Sequence, residues 1–182
     1  MPVLTAALIC VGALCILDLV LTLGVVKRLR EHTEMLSTVE AAPGRKASIG
    51  VGEEVGDFTA ATVDGEPLAR EDLGDGTLVA FFSPTCQPCK EKLPKFIEFA
   101  SSLPGGRDRV LAAVIGRTEE AATLNAALSP VARVVNEEYD GPLSSAFQAT
   151  AYPTVLMTGK DDTGRLVVTS DQVALNPRTL AA

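Results

Sequence analysis

The chain has no tryptophan, one histidine and four cysteines in 182 residues. A core without tryptophan must be built from Phe, Leu, Ile, Val and Ala. The single histidine, His32, follows an apolar N-terminal run, so the rest of the chain has no imidazole for catalysis or metal binding. Basic charge is also scarce. The net charge is −7, and from Gly50 onward 11 Lys+Arg face 19 Asp+Glu, a balance of −8. That argues against nucleic acid as a partner, which would call for a basic face. Nor do the cysteines make a structural disulfide framework, because only Cys86 and Cys89 lie outside the apolar run.

That run is the first feature present. Residues 3–26 are almost entirely apolar, long enough for a spanning helix of about 20 residues. No basic stretch precedes them, and no convincing small-residue cleavage site follows. The expectation is an uncleaved transmembrane anchor in the lipid bilayer, with a cleaved signal peptide as the alternative. Cys10 and Cys15 fall within it as packing residues. Asp18 also falls within it, and is either a partner for another helix or a carboxylate near one interface. Lys27, Arg28 and Arg30 follow the run, and the positive-inside rule would place the next segment in the cytoplasm. Residues 27–49, with Ala41-Ala42-Pro43-Gly44, read as a juxtamembrane linker.

Residues 50–182 read as one domain. Thr59 to Val63 is a short strand ending at the turn Asp64-Gly65, and a second short segment surrounds Leu68. Leu78 to Phe82 is a continuous apolar run of strand length, as expected of a strand buried on both faces. From Gln87 to Ala100, the residues Leu93, Phe96, Ile97 and Ala100 recur at helical spacing, with Pro94 expected to kink the helix. Val110 to Ile115 is a second buried strand. A helix follows from Thr118, its expected cap, to about Leu128. Val131 to Val135 is a third strand, and Pro142 to Phe147 a short helix. Tyr152-Pro153-Thr154 leads into an apolar strand, and Asp161 to Gly164 turns it into a return strand ending at Ser170. This alternation predicts an α/β fold with a mixed central sheet flanked by helices.

Cys86-Gln87-Pro88-Cys89 sits where the first buried strand gives way to a helix. A thiol at a helix N-terminus meets unpaired backbone N–H groups and the positive end of the helix dipole, which favour the thiolate. Cys86 is therefore expected to be the exposed nucleophile. Cys89, one turn in, is expected to be the more buried resolving thiol. Gln87-Pro88 makes the intervening turn rigid and adds no charge; Lys90 adds local positive charge. Zinc would need two further ligands that the sequence does not offer. The readings that remain beside exchange are a thiol module that holds or delivers a soft metal, and a peroxiredoxin-like peroxidase. The peroxidase would need a threonine where Ser83 stands.

These residues resemble the thioredoxin-like superfamily, and within it the membrane-anchored TlpA/ResA-like and MauD-like thiol–disulfide proteins. The resemblance covers about Gly50 to Ser170. It rests on Val55-Gly56-Asp57-Phe58 with Asp64-Gly65, on Phe81 through Lys90 around the two cysteines, on Pro94, and on Tyr152-Pro153-Thr154. It implies a thioredoxin fold with an N-terminal β-hairpin extension. It also implies a redox-active Cys86–Cys89 disulfide, no cofactor, and a cis-proline loop. In that loop Tyr152, Pro153 and Thr154 would meet an extended substrate, with Pro88 and Lys90 supporting the site. Protein disulfides would be the substrates, and a membrane or soluble partner would supply the reductant. Cytochrome c maturation and maturation of a disulfide-rich enzyme are the tasks of such relatives, and their domain lies outside the cytoplasm, against the charge rule. Three positions depart from the family pattern. Thr85 stands where many relatives have Trp, Ala80 where thioredoxin has a buried Asp, and Lys92 where TlpA/ResA-like proteins often have Glu. The carboxylate that would move protons at Cys89 is therefore missing from the expected places.

Overall fold

The computed structural model describes residues 46–176 and Gly12. The expected anchor at 3–26, Asp18, Cys10, Cys15 and most of the 27–49 linker lie outside the described residues. Among the described residues, no helix is long and apolar enough to cross a membrane.

Lys46 opens a compact unit. Ala47 and Ile49 are already tied to it: the Ile49 N–H donates to the Phe147 carbonyl at 2.9 Å, and the Thr150 N–H donates to the Ala47 carbonyl at 2.8 Å. Two short strands, β1 (Thr59–Ala61) and β2 (Pro67–Ala69), pair antiparallel around the Asp64-Gly65 turn. The main sheet has five strands in the order β5-β4-β3-β6-β7. β3 (Thr77–Phe82), β4 (Val110–Ile115) and β5 (Arg133–Glu137) run parallel. β6 (Thr154–Lys160) and β7 (Leu166–Ser170) complete the sheet in antiparallel pairing. Helix α1 (Gln87–Ser102) links β3 to β4, α2 (Thr118–Leu128) links β4 to β5, and α3 (Pro142–Ala146) lies between β5 and β6.

Every residue of β3 and β4 is buried, because the sheet is covered on both faces. Side chains alternate across a strand. Val79 and Phe81 therefore join the core formed with Val55, Phe58, Leu143 and Phe147. Leu78, Ala80 and Phe82 join the opposite core, with Phe96, Phe99, Leu124 and Leu128 from α1 and α2. Phe82 meets Phe96 edge-on, with ring centroids 5.1 Å apart, a geometry that aromatic quadrupoles favour. Fully burying each such ring is worth about 1.5–3 kcal/mol. That burial explains why the run at 78–82 is continuous rather than alternating.

Two details differ from the sequence reading. The third strand is Arg133–Glu137, not Val131–Val135. Val131 and Ala132 instead turn back on α2, their N–H groups both donating to the Leu128 carbonyl at 2.9 Å. The N-cap of α2 is Arg117, in extended conformation and without a side-chain bond. Thr118 is the first helical residue, one position too late to cap. Helix α1 carries Pro94 inside it, at the position the sequence reading gave. No helix follows β7 among the described residues; instead Val173 and Leu175 pack, partly buried, against the α1 side of the core.

Candidate functional site

The parallel strands β3, β4 and β5 all end on one edge of the sheet, and the site gathers there. β3 finishes at Phe82, and Ser83-Pro84-Thr85 makes the turn, closed by the Cys86 N–H donating to the Ser83 carbonyl at 3.2 Å. Cys86 is the N-cap of α1, with φ −85° and ψ 115°. The Cys89 N–H donates to Cys86 Sγ at 3.2 Å. The sulfur thus occupies the place where a Ser or Asp oxygen usually satisfies the third N–H of a helix. Pro88 follows in the first turn, where a missing N–H costs nothing. A negative sulfur at this position gains both a charge-assisted hydrogen bond and the helix dipole.

Cys86 and Cys89 are bonded to each other, with Cα atoms 5.3 Å apart, inside the ordinary disulfide range. Their surroundings differ. Cys86 is partly exposed, whereas Cys89 is fully buried at 0% exposure. An approaching molecule can reach only the first sulfur. The expected carboxylate positions are as the sequence has them. Ala80 is buried in the apolar layer that also holds Cys89. Lys92 lines a surface cavity of about 420 Å³ with Pro88, Glu91 and Lys95. Lys90 is exposed.

Antiparallel pairing of β6 with β3 brings the second half of the site into place. Thr154 opens β6 opposite Phe81, so the residues just before it emerge beside the residues just after Phe82. The Tyr152–Pro153 bond is cis, and the Tyr152 carbonyl oxygen lies 3.3 Å from Cys86 Sγ. Pro153 supplies no N–H to compete there. Thr154 is buried, and its hydroxyl donates to the Ala151 carbonyl at 2.7 Å. It therefore braces the loop from within. Of the residues singled out by sequence, Cys86, Cys89, Tyr152 and Pro153 come together. Pro88 and Lys90 sit at the outer start of α1.

Sequence reasoning missed Glu137, the last residue of β5 and the one buried carboxylate among the described residues. Its Oε1 accepts the Leu143 N–H at 2.7 Å, and its Oε2 accepts the Ser144 N–H at 3.0 Å and the Ser144 hydroxyl at 3.1 Å. These are orphan donors of the first turn of α3. Gly141 makes room, since a Cβ there would stand 2.5 Å from Glu137 Oε2. Ser144 in turn contacts Tyr152. Burial is the main force pushing the Tyr152 phenol above its ordinary value. The Ser144 contact pulls the other way, and Tyr139, Glu137 and Asp140 add to the rise. The available signal was an acid ending a valine-rich strand, four residues before Gly141-Pro142.

No family model matches the chain, and no curated protein does either. Solved structures do. The fold is similar to the thioredoxin domain of a thiol–disulfide oxidoreductase from Bacteroides vulgatus, with TM-score 0.55 and 14% identity over 74% of this chain and 97% of that one. A thiol:disulfide interchange protein from Bacteroides sp. gives TM-score 0.54 and 13% identity over 73% and 88%. An exposed lipoprotein thioredoxin from Streptococcus pneumoniae gives TM-score 0.50 and 22% identity over 69% and 96%.

The buried carboxylate leads to a stability prediction. Glu137→Ala leaves the Leu143 and Ser144 N–H groups without their acceptor, and losing buried, charge-assisted bonds of this kind costs about 2–3 kcal/mol. Urea unfolding of the full chain measures it. A change below about 0.5 kcal/mol, the scale of an idle surface substitution, would show that Glu137 anchors nothing. The likeness to these solved structures over about 70% of the chain shows the architecture: this chain has the thioredoxin fold.

Proposed function

We propose that the chain is a membrane-anchored thiol–disulfide oxidoreductase that reduces, or relays electrons to, disulfides of other proteins. The observation that carries this reading is the inequality of the bonded pair: Cys86 partly exposed beside the Tyr152 carbonyl, Cys89 fully buried behind it. The solved structures of similar fold that are named as thiol–disulfide oxidoreductases support it.

In the reduced protein the Cys86 thiolate attacks one sulfur of a substrate disulfide. A Cys86–substrate disulfide forms, the substrate S–S bond breaks, and the leaving thiolate takes a proton from solvent. The Cys89 thiol then loses its proton and attacks Cys86 Sγ, releasing the second substrate thiolate and closing the Cys86–Cys89 bond. Two electrons pass from the pair to the substrate. A dithiol of a partner protein, membrane-bound or soluble, returns them by the same exchange in reverse. The Cys89 N–H on Cys86 Sγ stabilises the negative sulfur both as attacker and as leaving group. Tyr152 presents a carbonyl beside the reacting sulfur, where an extended substrate can add main-chain bonds. Pro153 keeps that edge free of an internal donor.

The catalytic residues of this reading are Cys86 and Cys89. Cys86→Ser is expected to abolish reduction of a protein disulfide. Cys89→Ser is expected to accumulate a Cys86–substrate mixed disulfide, visible as a band that disappears on reduction in gel electrophoresis. Equal behaviour of the two variants, with no trapped species, would overturn the assignment.

We place the domain on the extracytoplasmic face, where the resemblance to TlpA/ResA-like proteins puts it, against the Lys27-Arg28-Arg30 cluster. A membrane-impermeant thiol reagent applied to intact cells after mild reduction should label wild type more than Cys86→Ser. Labelling only after lysis would put the domain in the cytoplasm and favour the charge rule.

A further inference from the structure

The two tyrosines of the chain, Tyr139 and Tyr152, line one cavity, and Tyr152 neighbours the reactive sulfur through its carbonyl. Tyr139 is 63% exposed, one of three large apolar side chains so exposed among the described residues. It lies between two cavities. One, about 430 Å³, is lined by Tyr139, Asp140, Ser144 and Tyr152 among others. The other, about 510 Å³, is lined by Gly116, Arg117, Glu138, Tyr139 and Asp140. Each includes one residue that neighbours Cys86 or the turn before it. Tyr152 holds its carbonyl 3.3 Å from Cys86 Sγ, and a Cβ on Gly116 would stand 3.1 Å from Pro84. The two cavities share Tyr139 and Asp140.

Their charge is uneven. Glu138 and Asp140 line them, neither in an ion pair among the described residues, and the Glu137 carboxylate lies beneath. Arg117, at the Gly116 end, is the one cation lining these two cavities. Phenol faces attract cations through the ring quadrupole, and the unpaired acids add Coulomb attraction that salt weakens. The Tyr139–Tyr152 cavity holds Asp140 and no basic side chain, so an added cation is favoured there, whereas beside Gly116 the charge of Arg117 already offsets Glu138. The Tyr139–Tyr152 cavity is also firmly held, since Glu137 fixes the first turn of α3 and Ser144 contacts Tyr152.

We infer that Tyr139, Tyr152 and Asp140 form a recognition groove for substrate segments that carry arginine or lysine beside the disulfide cysteine. This deepens the proposed function and rests on it. The groove would select substrates by the charge flanking their disulfide, while Cys86 and Cys89 perform the same exchange on any of them.

The test compares two cyclic disulfide peptides, identical except for two arginines or two glutamines flanking one cysteine. The reduced full chain acts on each, and the neutral hydroxyethyl disulfide is assayed in parallel. The arginine peptide should be preferred in kcat/KM by about fivefold to tenfold, the scale of one exposed ion pair plus one cation–π contact. The preference should lie mainly in KM and shrink in 0.5 M salt. In the double variant Tyr139→Ala/Asp140→Asn, the ratio of the two peptides should fall to between one and two. Tyr139 is largely exposed, so the variant keeps the core intact. Equal rates for both peptides in wild type, or an unchanged ratio in the double variant, would overturn the groove while hydroxyethyl disulfide reduction upheld the exchange chemistry. Failure to reduce any of the three disulfides would overturn the exchange reading and the groove with it.

Discussion

Phe81 faces Thr154 in the antiparallel pairing of β3 with β6, and both halves of the site depend on that register. β3 delivers Cys86 one turn beyond its end. β6 delivers Tyr152 and the cis Pro153 just before its start. A slip of one residue would turn every side chain of β6 to the opposite face and carry the Tyr152 carbonyl away from Cys86. The register is secured by burial. Leu156 enters one core and Val155 the other, so a slipped strand would exchange their faces throughout. The hydrophobic pattern of the sheet thereby fixes, to within ångströms, the meeting of a carbonyl and a sulfur.

The second determinant is local. Cys86 caps α1 with its sulfur, an arrangement whose oxygen counterpart is worth about 1 kcal/mol to helix stability. With sulfur the same bond sets the Cys89 N–H, in the first turn of the helix, against the partly exposed sulfur of the pair. Cys89 has no such help. It is enclosed by an apolar layer in which Ala80 stands where relatives place an acid, and Lys92 faces an outer cavity. Glu137, the one buried carboxylate among the described residues, instead holds the first turn of α3. The site thus gives one sulfur a backbone donor and leaves the other enclosed by apolar side chains.

Much of this was legible in sequence, for physical reasons that also explain the rest. β3, β4 and α1 announced themselves because strands buried on both faces must be continuously apolar and an amphipathic helix must repeat every three to four residues. The Cys86–Cys89 spacing and Tyr152-Pro153-Thr154 pointed to the residues that meet. Val131 and Ala132 read as strand in sequence because an apolar pair that closes a helix looks like one that begins a strand. The Thr118 hydroxyl and the acids after it fit a cap in sequence, yet the backbone starts the helix at Thr118 itself. Glu137 was invisible because its partners, Leu143 and Ser144, become neighbours only when α3 folds back over the end of β5. The Tyr139–Tyr152 depression escaped for the same reason: it joins two loops that sequence periodicity does not connect.

The central claim is that Cys86 and Cys89 form a reversible two-electron couple. The direct measurement equilibrates the full chain in glutathione or dithiothreitol buffers of graded potential and quantifies the 86–89 disulfide by mass spectrometry, so that Cys10 and Cys15 do not contribute. The account predicts one transition that follows two-electron behaviour, about 30 mV per tenfold change in ratio, and is absent in Cys86→Ser. A pair that shows no such transition and instead holds Cu(I) tightly would contradict it and identify the thiols as a metal-binding module.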